Sequence, residues 1–291
     1  MTNNTLLLGL SAHTWIHAGS GEKDGVVDLP IQREAHTGWP VVFGSSLKGA
    51  MRSAATLRKN DLPITTLFGP EALNEGVSND KIHAGALLIS DARLIWLPVR
   101  SLTTHTRYVT CPALLRRLQT DMVRAGQEQT LKIPAVHELN ALVSSKQQER
   151  LYLEEYAFDL QAAAEMTAWS ELLAKFCELS PQEVAEQLVL ISNDQFAHLC
   201  QAAIPLHPHI ALNYETKSVK DGALWYEEAL PPGTLLYTLL LANDARDASG
   251  LKADELLRQT KAHLITAHPY LQVGGNESTG MGWLKLTHIE G

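Results

Sequence analysis

The sequence predicts an α+β fold, in one large domain or two small ones. Its 291 residues are 45% hydrophobic, which is enough to bury a sizeable core. Short apolar runs typical of strands alternate with amphipathic stretches typical of helices in the first and last parts of the chain. A helical stretch over 161–203 interrupts this alternation. We therefore expect strands and helices packed against each other, with a helical insert in the middle of the chain.

The first elements come from apolar runs near the beginning of the sequence. The segment TLLLGLSAHTWI has mixed alternation and predicts a strand that leads into a glycine-containing loop. The run Val41 to Phe43 predicts a short buried strand that a glycine ends. Ser45 or Ser46 can then cap a helix from about Leu47 through Leu57.

The next segments continue the alternation as far as the insert. HAGALLISDARLIWLPV predicts one or two strands with Asp91 at a turn, and CPALLRRLQTDMVRAG predicts an amphipathic helix. LYLEEYAFDL predicts a strand. In the insert, QAAAEMTAWSELLAKFCEL has helical spacing, and SPQE, from Ser180, is a capping box with Pro at the first helical position.

The last part of the chain returns to strands. Polar, β-prone residues over 204–226 predict an extended hairpin, followed by a buried strand at Leu235 to Leu241. ADELLRQTKAHLITAH predicts a further helix. LQVGGNESTGMGWLKL then places four glycines within nine residues between two strand-like pieces. Because glycine lets another group approach the backbone closely, this loop should lie against something else.

Charge and cysteine content exclude several classes of protein. The 24 Lys and Arg residues against 32 Asp and Glu residues give a net charge of −8, so the chain cannot coat nucleic acid through net charge alone. An anionic partner needs a local basic strip. The three cysteines have no C-x-x-C spacing, which indicates neither a disulfide framework nor a cysteine zinc site. Without a signal sequence or membrane-spanning run, we expect a soluble, cytoplasmic protein with no membrane partner.

The segment GSSLKG, from Gly44, is a candidate anion site. Unpaired N–H groups at a helix start, together with Lys48 and Arg52 one turn on, suit a phosphate. A serine cap flanked by solvated basic residues explains the same segment equally well. Neither GSSLKG nor GGNESTGMGW has Walker or dinucleotide-binding spacing, so a nucleotide cofactor is only weakly supported.

Asp28, in GVVDLPIQRE, stands where local propensities conflict. The valines favour extended backbone, whereas the aspartate disfavours it and Pro30 removes a backbone donor. One interpretation is a turn residue whose carboxylate accepts nearby backbone N–H bonds. The other is a catalytic carboxylate, because sequences break local rules at functional sites. The residues alone favour the turn.

The chain resembles one family through a series of segments. These are FGSSLKGAMR, TLFGP, HAGALLISDARLIWLPVRSL, YVTCPALLRRL, LYLEEYAF, ALWYEEALPPGTL and GGNESTGMGW, in this order over nearly the whole chain. They are similar to the repeating backbone subunit of the type III-B CRISPR effector, the Cmr complex, within the repeat-associated mysterious protein (RAMP) superfamily. The resemblance implies a single domain over 1–291 with a ferredoxin-like, RRM-like fold and a C-terminal glycine-rich loop. Within it we expect a helical insertion over 161–203 and a protruding hairpin thumb over 204–226.

The resemblance also implies a function. Copies of the subunit stack with other Cmr subunits into a helical filament along the CRISPR guide RNA (crRNA), and the thumbs splay the guide–target duplex at regular intervals. The segment matching GVVDLPIQRE supplies Asp28 for metal-dependent cleavage of bound single-stranded target RNA by transesterification. We therefore expect Asp28 to be the catalytic residue and the ligand of a divalent metal ion, Mg²⁺ or Mn²⁺. One carboxylate is too few for a protein-only cage, so water and RNA phosphate oxygens would complete the coordination.

Further site residues follow from the same resemblance. His17 matches a histidine near the scissile site, and Glu228, or alternatively Glu227, matches an acidic residue near the thumb. Arg33 either contacts RNA or pairs with Glu34 or Asp28. The expected RNA contacts are Lys48, Arg52, Ser46 and the glycine-rich loop at Ser278, Thr279 and Gly280, and the expected thumb wedge is Ile210, Leu212 or Tyr214.

Two other classes of function remain open at this point. The first is a non-catalytic scaffold with the same RNA grip, in which Asp28 is only structural. The second is a stand-alone metal-dependent hydrolase, which is disfavoured because the sequence has no H-x-H or H-E-x-x-H cluster.

Overall fold

The computed structural model describes residues 5–22, 27–58, 61–70, 83–127 and 129–290. Most of its β structure belongs to a single 12-stranded sheet. The strands are β1 (Thr5–Ala12), β2 (Val41–Val42), β3 (Leu87–Ile89), β4 (Ala92–Ser101), β5 (His105–Thr110), β6 (Asn140–Val143), β7 (Arg150–Leu153), β8 (Tyr156–Ala162), β9 (Leu188–Leu190), β10 (Leu206–Leu212), β11 (Val219–Glu228), β12 (Leu235–Ala242), β13 (Tyr270–Gln272) and β14 (Trp283–Ile289).

The helices connect these strands or cover the sheet. They are α1 (Gly44–Leu57), α2 (Ile64–Phe68), α3 (Pro112–Arg124), α4 (Glu165–Ala174), α5 (Pro181–Gln187), α6 (Asn193–Ala202) and α7 (Ala253–Thr260). A π-helical turn, Lys261–Thr266, continues α7. Within the described residues, no helix is long and apolar enough to cross a bilayer.

The sheet has two parts. In the first, the strands lie in the order β14-β1-β12-β4, and all three neighbouring pairs are antiparallel. Helix α1 lies between β1 and β4 in the chain, and α7 lies between β12 and β14. This part therefore follows a βαββαβ order.

The second part continues from β4 through β5, β9, β6 and β8 to β7. Ser101 of β4 pairs with Leu153 of β7, so these six strands close into a ring. Two of the pairs, β5–β9 and β6–β8, are parallel. Strand β4 belongs to both parts, so the two parts form one continuous sheet.

Two apolar cores fill the faces of the sheet, and the alternation of β1 shows how. Leu8 and Leu10 point into the first core, while Leu7 points into the second. Helices α1 and α7 cover the first core with residues such as Leu47 and Leu256. Helices α3 and α4 cover the second, mainly through Leu115, Leu118, Met122, Met166 and Trp169.

The predicted hairpin corresponds to β10 and β11, which form a separate two-stranded sheet. Ile210 and Leu224 are cross-strand partners on this hairpin, and each is at least half exposed. At its tip, the Tyr214 side chain is 86% exposed, with the Lys217 ammonium 3.9 Å from the ring centroid. We call this hairpin, β10 and β11, the thumb.

The start of α1 differs from the prediction. The helix begins at Gly44 rather than near Leu47, and its N-cap is Phe43, without a serine cap. The reason is a distant carboxylate: Asp91 Oδ1 accepts a hydrogen bond from the Gly44 amide at 2.8 Å. The serines therefore lie inside the first turn.

Two other segments are more complex than their sequences indicate. LYLEEYAFDL forms two strands, β7 and β8, because Glu154 adopts the left-handed region (φ 48°) at a tight turn. The insert 161–203 contains α4, α5 and α6, but it also contains β9. The apolar run of β9 is fully buried because it pairs with both β5 and β6. The capping box at Ser180 and Glu183 is present as predicted.

Candidate functional site

Asp28 lies at the root of the thumb. Its Oδ2 accepts a hydrogen bond from the amide of Tyr226 at 2.8 Å. The next residue, Leu29, donates to Tyr226 O at 3.1 Å and accepts from the Glu228 amide at 3.0 Å. The Asp28 segment thus lies beside the end of β11, where Leu29 and Glu227 form an isolated parallel bridge. Within the described residues, Oδ1 of Asp28 has no hydrogen-bond partner, so one carboxylate oxygen is available to a ligand.

Glu228 fixes the segment that follows Asp28. Its Oε2 accepts from the Ile31 amide at 3.0 Å, and its Oε1 pairs with Arg33. Arg33 also donates to the carbonyls of Gly38 and Cys200 at 2.8 and 2.9 Å. Both oxygens of this buried carboxylate are therefore engaged, which suits a positioning role better than proton transfer.

Of the alternatives for Arg33, pairing with Glu34 or Asp28 is not what the structure shows, and contact with RNA stays a prediction. The Arg33 guanidinium pairs with Glu228, whereas Glu34 pairs with Arg117 and accepts from Thr37 Oγ1 at 2.7 Å. Sequence neighbours could not show this, since Arg33 and Glu228 are 195 residues apart.

His17 and Glu227 form a second buried pair beside the first. His17 Nδ1 lies 2.7 Å from Glu228 O and 3.3 Å from Glu227 Oε1. Glu227 also accepts from Asn276 Nδ2, and its Oε2 lies 3.6 Å from His209 Nε2 on β10. Glu227 thereby links the thumb, the glycine-rich loop and the segment around His17. Glu228 therefore has both carboxylate oxygens engaged, whereas the buried Glu227 is hydrogen-bonded through Oε1 and only approaches His209 through Oε2.

The glycine-rich loop lies directly on His17, as its composition predicts. The Gly275 amide donates to His17 O at 2.8 Å. At Gly274, with φ +90°, an added Cβ would stand 2.2 Å from the same carbonyl oxygen. Gly282, with φ +94°, donates to Trp15 O at 2.8 Å. At Gly274, glycine is therefore required by the contact with His17 as well as by the backbone conformation.

The predicted RNA contacts of this loop are exposed but partly bonded. Ser278 and Thr279 lie in a 3₁₀ turn, Glu277–Thr279, which Gly280 follows. The amides of Thr279 and Gly280 donate to Asn276 O and Glu277 O, at 3.0 and 2.9 Å. These two N–H groups are thus not free for a phosphate. The Ser278 amide and hydroxyl have no hydrogen-bond partner within the described residues.

Gln32 connects α1 to the loop before Asp28, and the sequence analysis did not identify it. Its Nε2 donates to Gly19 O at 3.1 Å and to Ser46 Oγ at 3.0 Å, and its Oε1 accepts from the Phe43 amide at 2.7 Å. Ser46 is therefore joined to the same framework as Asp28. A buried glutamine two residues beyond a proline carries no sequence signal of such a role.

Lys48 and Arg52 lie on the side of α1 that faces α2. Arg52 Nη1 donates to Gly69 O at 3.0 Å, just after α2. Burial, followed by the positive charges of Arg52 and Arg246, lowers the pKa of Lys48 from its ordinary value. Ala50 and Ala54, on the other side of α1, line a groove with Trp283 and Glu277. The predicted RNA contacts Lys48 and Arg52 thus lie on one side of α1, and the glycine-rich loop with its predicted contacts lies on the other.

The donor set around Asp28 does not form a protein-only metal site. Within the described residues, no group of three or more His, Cys, Asp or Glu side chains could hold a metal ion. Among the described carboxylates around it, Asp28 offers the more accessible oxygen, since both oxygens of Glu228 are engaged and Glu227 is only 3% exposed. This set fits only an ion that RNA phosphate oxygens and water would also coordinate.

Comparison with known proteins places the whole chain in one group. A sequence model of the RAMP superfamily matches residues 10–285. The chain is 35% identical to the CRISPR system Cmr endoribonuclease Cmr4 of Pyrococcus furiosus, over 97% of this chain and 94% of that protein. It is 26% identical to the CRISPR system CMR subunit Cmr4 of Saccharolobus solfataricus, over 95% of this chain and 94% of that protein.

Solved structures agree. The crystal structure of oligomeric Cmr4 from Pyrococcus furiosus has a TM-score of 0.73 at 28% identity, covering 99% of each chain. A chain of the type III-B Cmr-beta complex bound to cognate target RNA has a TM-score of 0.74 at 21% identity, covering 98% of this chain and 96% of that one, and shares the fold. The match at 10–285 includes the Asp28 segment, the thumb and the glycine-rich loop.

Proposed function

This chain belongs to the RAMP superfamily and, within it, to the Cmr4 subunits of type III-B CRISPR complexes; from that premise we propose that it is an RNA-binding, RNA-cleaving backbone subunit. In this role it binds the guide RNA, engages complementary target RNA, and cuts the target at regular intervals. The observation that carries the proposal is the 35% identity over 97% of the chain with a protein named as an endoribonuclease. The position of Asp28 supports it.

Stacking of copies along the guide is part of the proposal. A Cmr4 relative that shares the fold over 99% of both chains was crystallised as an oligomer. The thumb supports the same arrangement, because it projects apolar side chains that its own subunit does not cover. Such side chains can wedge between bases and unstack them. The free cysteines suit a reducing cytoplasm, where such a complex would meet its targets.

We also assign the ferredoxin-like description to the first part of the sheet. The order β14-β1-β12-β4, with α1 and α7 as the connecting helices, supports it. The closed ring of six strands is then an addition built from 92–190. This division gives the RNA-binding groups, on α1 and on the glycine-rich loop, to the first part.

The proposed chemistry centres on the free oxygen of Asp28. The nucleophile in RNA is the neighbouring 2′-hydroxyl, so the protein must hold the phosphodiester in line and stabilise the developing negative charge. Asp28 is fixed through Oδ2 by the Tyr226 amide, which leaves Oδ1 to face the RNA. A divalent ion, Mg²⁺ or Mn²⁺, held by Asp28 and the RNA together, would supply positive charge and activate the hydroxyl. Glu228 and Arg33 hold the segment that carries Asp28. His17 contributes to the same network through its contact with Glu228 O.

The test is Asp28→Asn in the assembled complex. Asparagine keeps an oxygen that can accept the Tyr226 N–H bond, so the loop should remain in place while the charge is lost. We expect unchanged guide and target binding and a fall in the cleavage rate of about 100-fold or more. Asp159→Asn, which changes an exposed carboxylate on β8, is the matched control and should cleave normally.

A non-catalytic scaffold is the second candidate, and one observation favours it. The bond from Asp28 to the Tyr226 amide is what a purely structural turn residue would make. In that case Asp28→Asn would cleave within about threefold of the unmodified complex, a factor smaller than even modest acid–base roles. Asp28→Ala would then lower thermal stability instead. That pair of results would overturn the nuclease assignment at this residue.

A further inference from the structure

Arg246 lies on the loop that joins β12 to α7, and this exposed loop is anchored to α2. The Asn243 amide donates to Ala86 O at 2.9 Å, just before β3. Thr66, in α2, donates its hydroxyl to Asp247 Oδ2 at 2.5 Å. Arg246 stands between these two anchors, so its backbone is held while its side chain remains exposed.

Arg52 of α1 is bound to the same short helix from the other direction. Its guanidinium donates to Gly69 O at the end of α2. Since α2 holds both the Arg52 side chain and the loop that carries Arg246, these two cations lie on the same side of α1. Lys48, one turn before Arg52, belongs to this side as well. The effect of Arg246 on the pKa of Lys48 agrees with this placement.

The carboxylates near Arg246 are engaged with other groups. Asp244 pairs with Lys252 at 2.8 Å, and Asp247 Oδ1 accepts from the amide of Ser249 at 2.9 Å. Within the described part of the chain, no carboxylate forms an ion pair with Lys48 or Arg246. Lys48 and Arg246 thus remain outside the ion pairs of the described residues, although the chain as a whole has a net charge of −8.

We propose that Arg246 joins Lys48 and Arg52, the RNA contacts that the family resemblance implies, in one binding site for successive phosphates of an RNA backbone. Lys48 and Arg246 bind phosphate directly, while Arg52 adds positive charge as it holds the end of α2. Nothing in the GSSLKG segment indicates Arg246, which comes from a loop about 200 residues further along the chain. The inference rests on the proposed function, because it takes RNA as the ligand. Such contacts position RNA without reading its sequence.

The binding experiment uses the full chain and a fluorescein-labelled single-stranded RNA of guide length. Anisotropy titrations at several salt concentrations compare Arg246→Ala with Arg258→Ala. Arg258 is also exposed and loses the same charge, but it is paired with Glu255 on α7. We expect Arg246→Ala to bind about tenfold more weakly at low salt and to lower the salt slope by about 0.7, as loss of one phosphate contact on a single strand requires. Arg258→Ala should match the unmodified chain, and Arg246→Lys should recover most of the affinity.

A second measurement tests the placement without RNA. The amines are labelled by reductive ¹³C-methylation, and the pKa of Lys48 is followed by NMR. Arg246→Ala should raise this pKa toward the ordinary value, because a repelling positive charge is removed. Arg258→Ala should leave it unchanged. Added RNA should raise it in the unmodified chain, because a phosphate stabilises the ammonium form.

The outcomes separate this inference from the proposed function. If the unmodified chain binds RNA but Arg246→Ala has the affinity and salt slope of Arg258→Ala, the three-cation site is wrong and the proposed function stands. If the pKa of Lys48 is the same in Arg246→Ala as in the unmodified chain, the placement of Arg246 near Lys48 is wrong. If the unmodified chain binds no single-stranded RNA at low salt, both the site and the RNA-binding role fail.

Discussion

At Gly274 the backbone of the glycine-rich loop lies against the carbonyl of His17, and the contact leaves no room for a side chain. A Cβ there would stand 2.2 Å from His17 O. Gly280, in the same loop, has a similar φ of +84°, but a Cβ there would meet nothing within 4 Å. The two glycines therefore share a conformation and differ only in contact.

This difference makes the pair a clean test of the close approach. Gly280→Ala should cost about 1 kcal/mol of unfolding free energy, because only the left-handed conformation is penalised. Gly274→Ala should cost about 3 kcal/mol or more, since the loop must also move off His17. Urea unfolding of both variants measures the difference. Equal costs would mean that the loop is not held against His17 in solution.

Individual site residues differ in how far the sequence could predict them. The glycine pattern predicts a close contact because only glycine permits it, and Asp28 stands out because it conflicts with its neighbours. The partners of these residues could not be predicted. Asp28 binds an amide 198 residues away, and His17 lies beside a carboxylate near the end of β11. Spacing along the chain contains no information about such pairs, so the pairing of Arg33 with Glu228 was not among the alternatives that the sequence offered.

At the scale of elements, the thumb consists of a fixed base and an open arm. At the base, His209 stacks on Trp225 with ring centroids 5.4 Å apart and lies beside Glu227. Beyond Ile210 and Leu224 the side chains are mostly exposed. The strand alternation and turn residues predict such a hairpin. The attachment of its base to the Asp28 segment needs the folded structure.

Shortening the arm should therefore separate target engagement from guide binding. Replacing 211–223 with an Asn-Gly turn keeps Ile210, Leu224 and the base intact. In the assembled complex, we expect guide binding within about twofold of normal, because the arm makes no part of the proposed phosphate grip. The regular spacing of target cleavage should be lost, as a sequencing gel of the products would show.

A second variant keeps the full length of the arm and changes the exposed apolar pair at its start. The double variant Ile210→Ser, Leu224→Ser should retain the hairpin. The regular spacing of target cleavage should be lost in it, as in the shortened variant. A collapse of guide binding in the shortened variant would show that the arm is part of the grip, contrary to this assignment.

At the scale of the whole molecule, the two cores share β1, β4 and β12, whose side chains alternate between them. Neither core can lose its packing while the sheet between them stays intact. Composition and periodicity predicted the α+β class and most elements. The ring closure and the buried strand β9 were not predictable, because they depend on pairing between distant segments.

The reactivity of two cysteines can test whether the two cores unfold together. Burial raises the pKa of Cys111, in the first core, to about 12, and that of Cys177, beside the second core, to about 11. Since the thiolate is the reactive form, both should label very slowly with iodoacetamide in the native protein at pH 8. As urea is added, both should become reactive over one transition. Mass spectrometry of the labelled peptides gives the two midpoints. Reactivity at clearly separate urea concentrations would show that the cores unfold independently.

The pairing of β14 with β1 sets the order in which the site can be made on the ribosome. The segment around His17 is translated early, yet the Gly274–Gly275 loop that lies on it arrives among the last residues described. The Asp28 segment likewise waits for Tyr226 and Glu228. Contacts of such long sequence separation form late in folding. The site around Asp28 and His17 therefore cannot be complete in a nascent chain until β14 has left the ribosome.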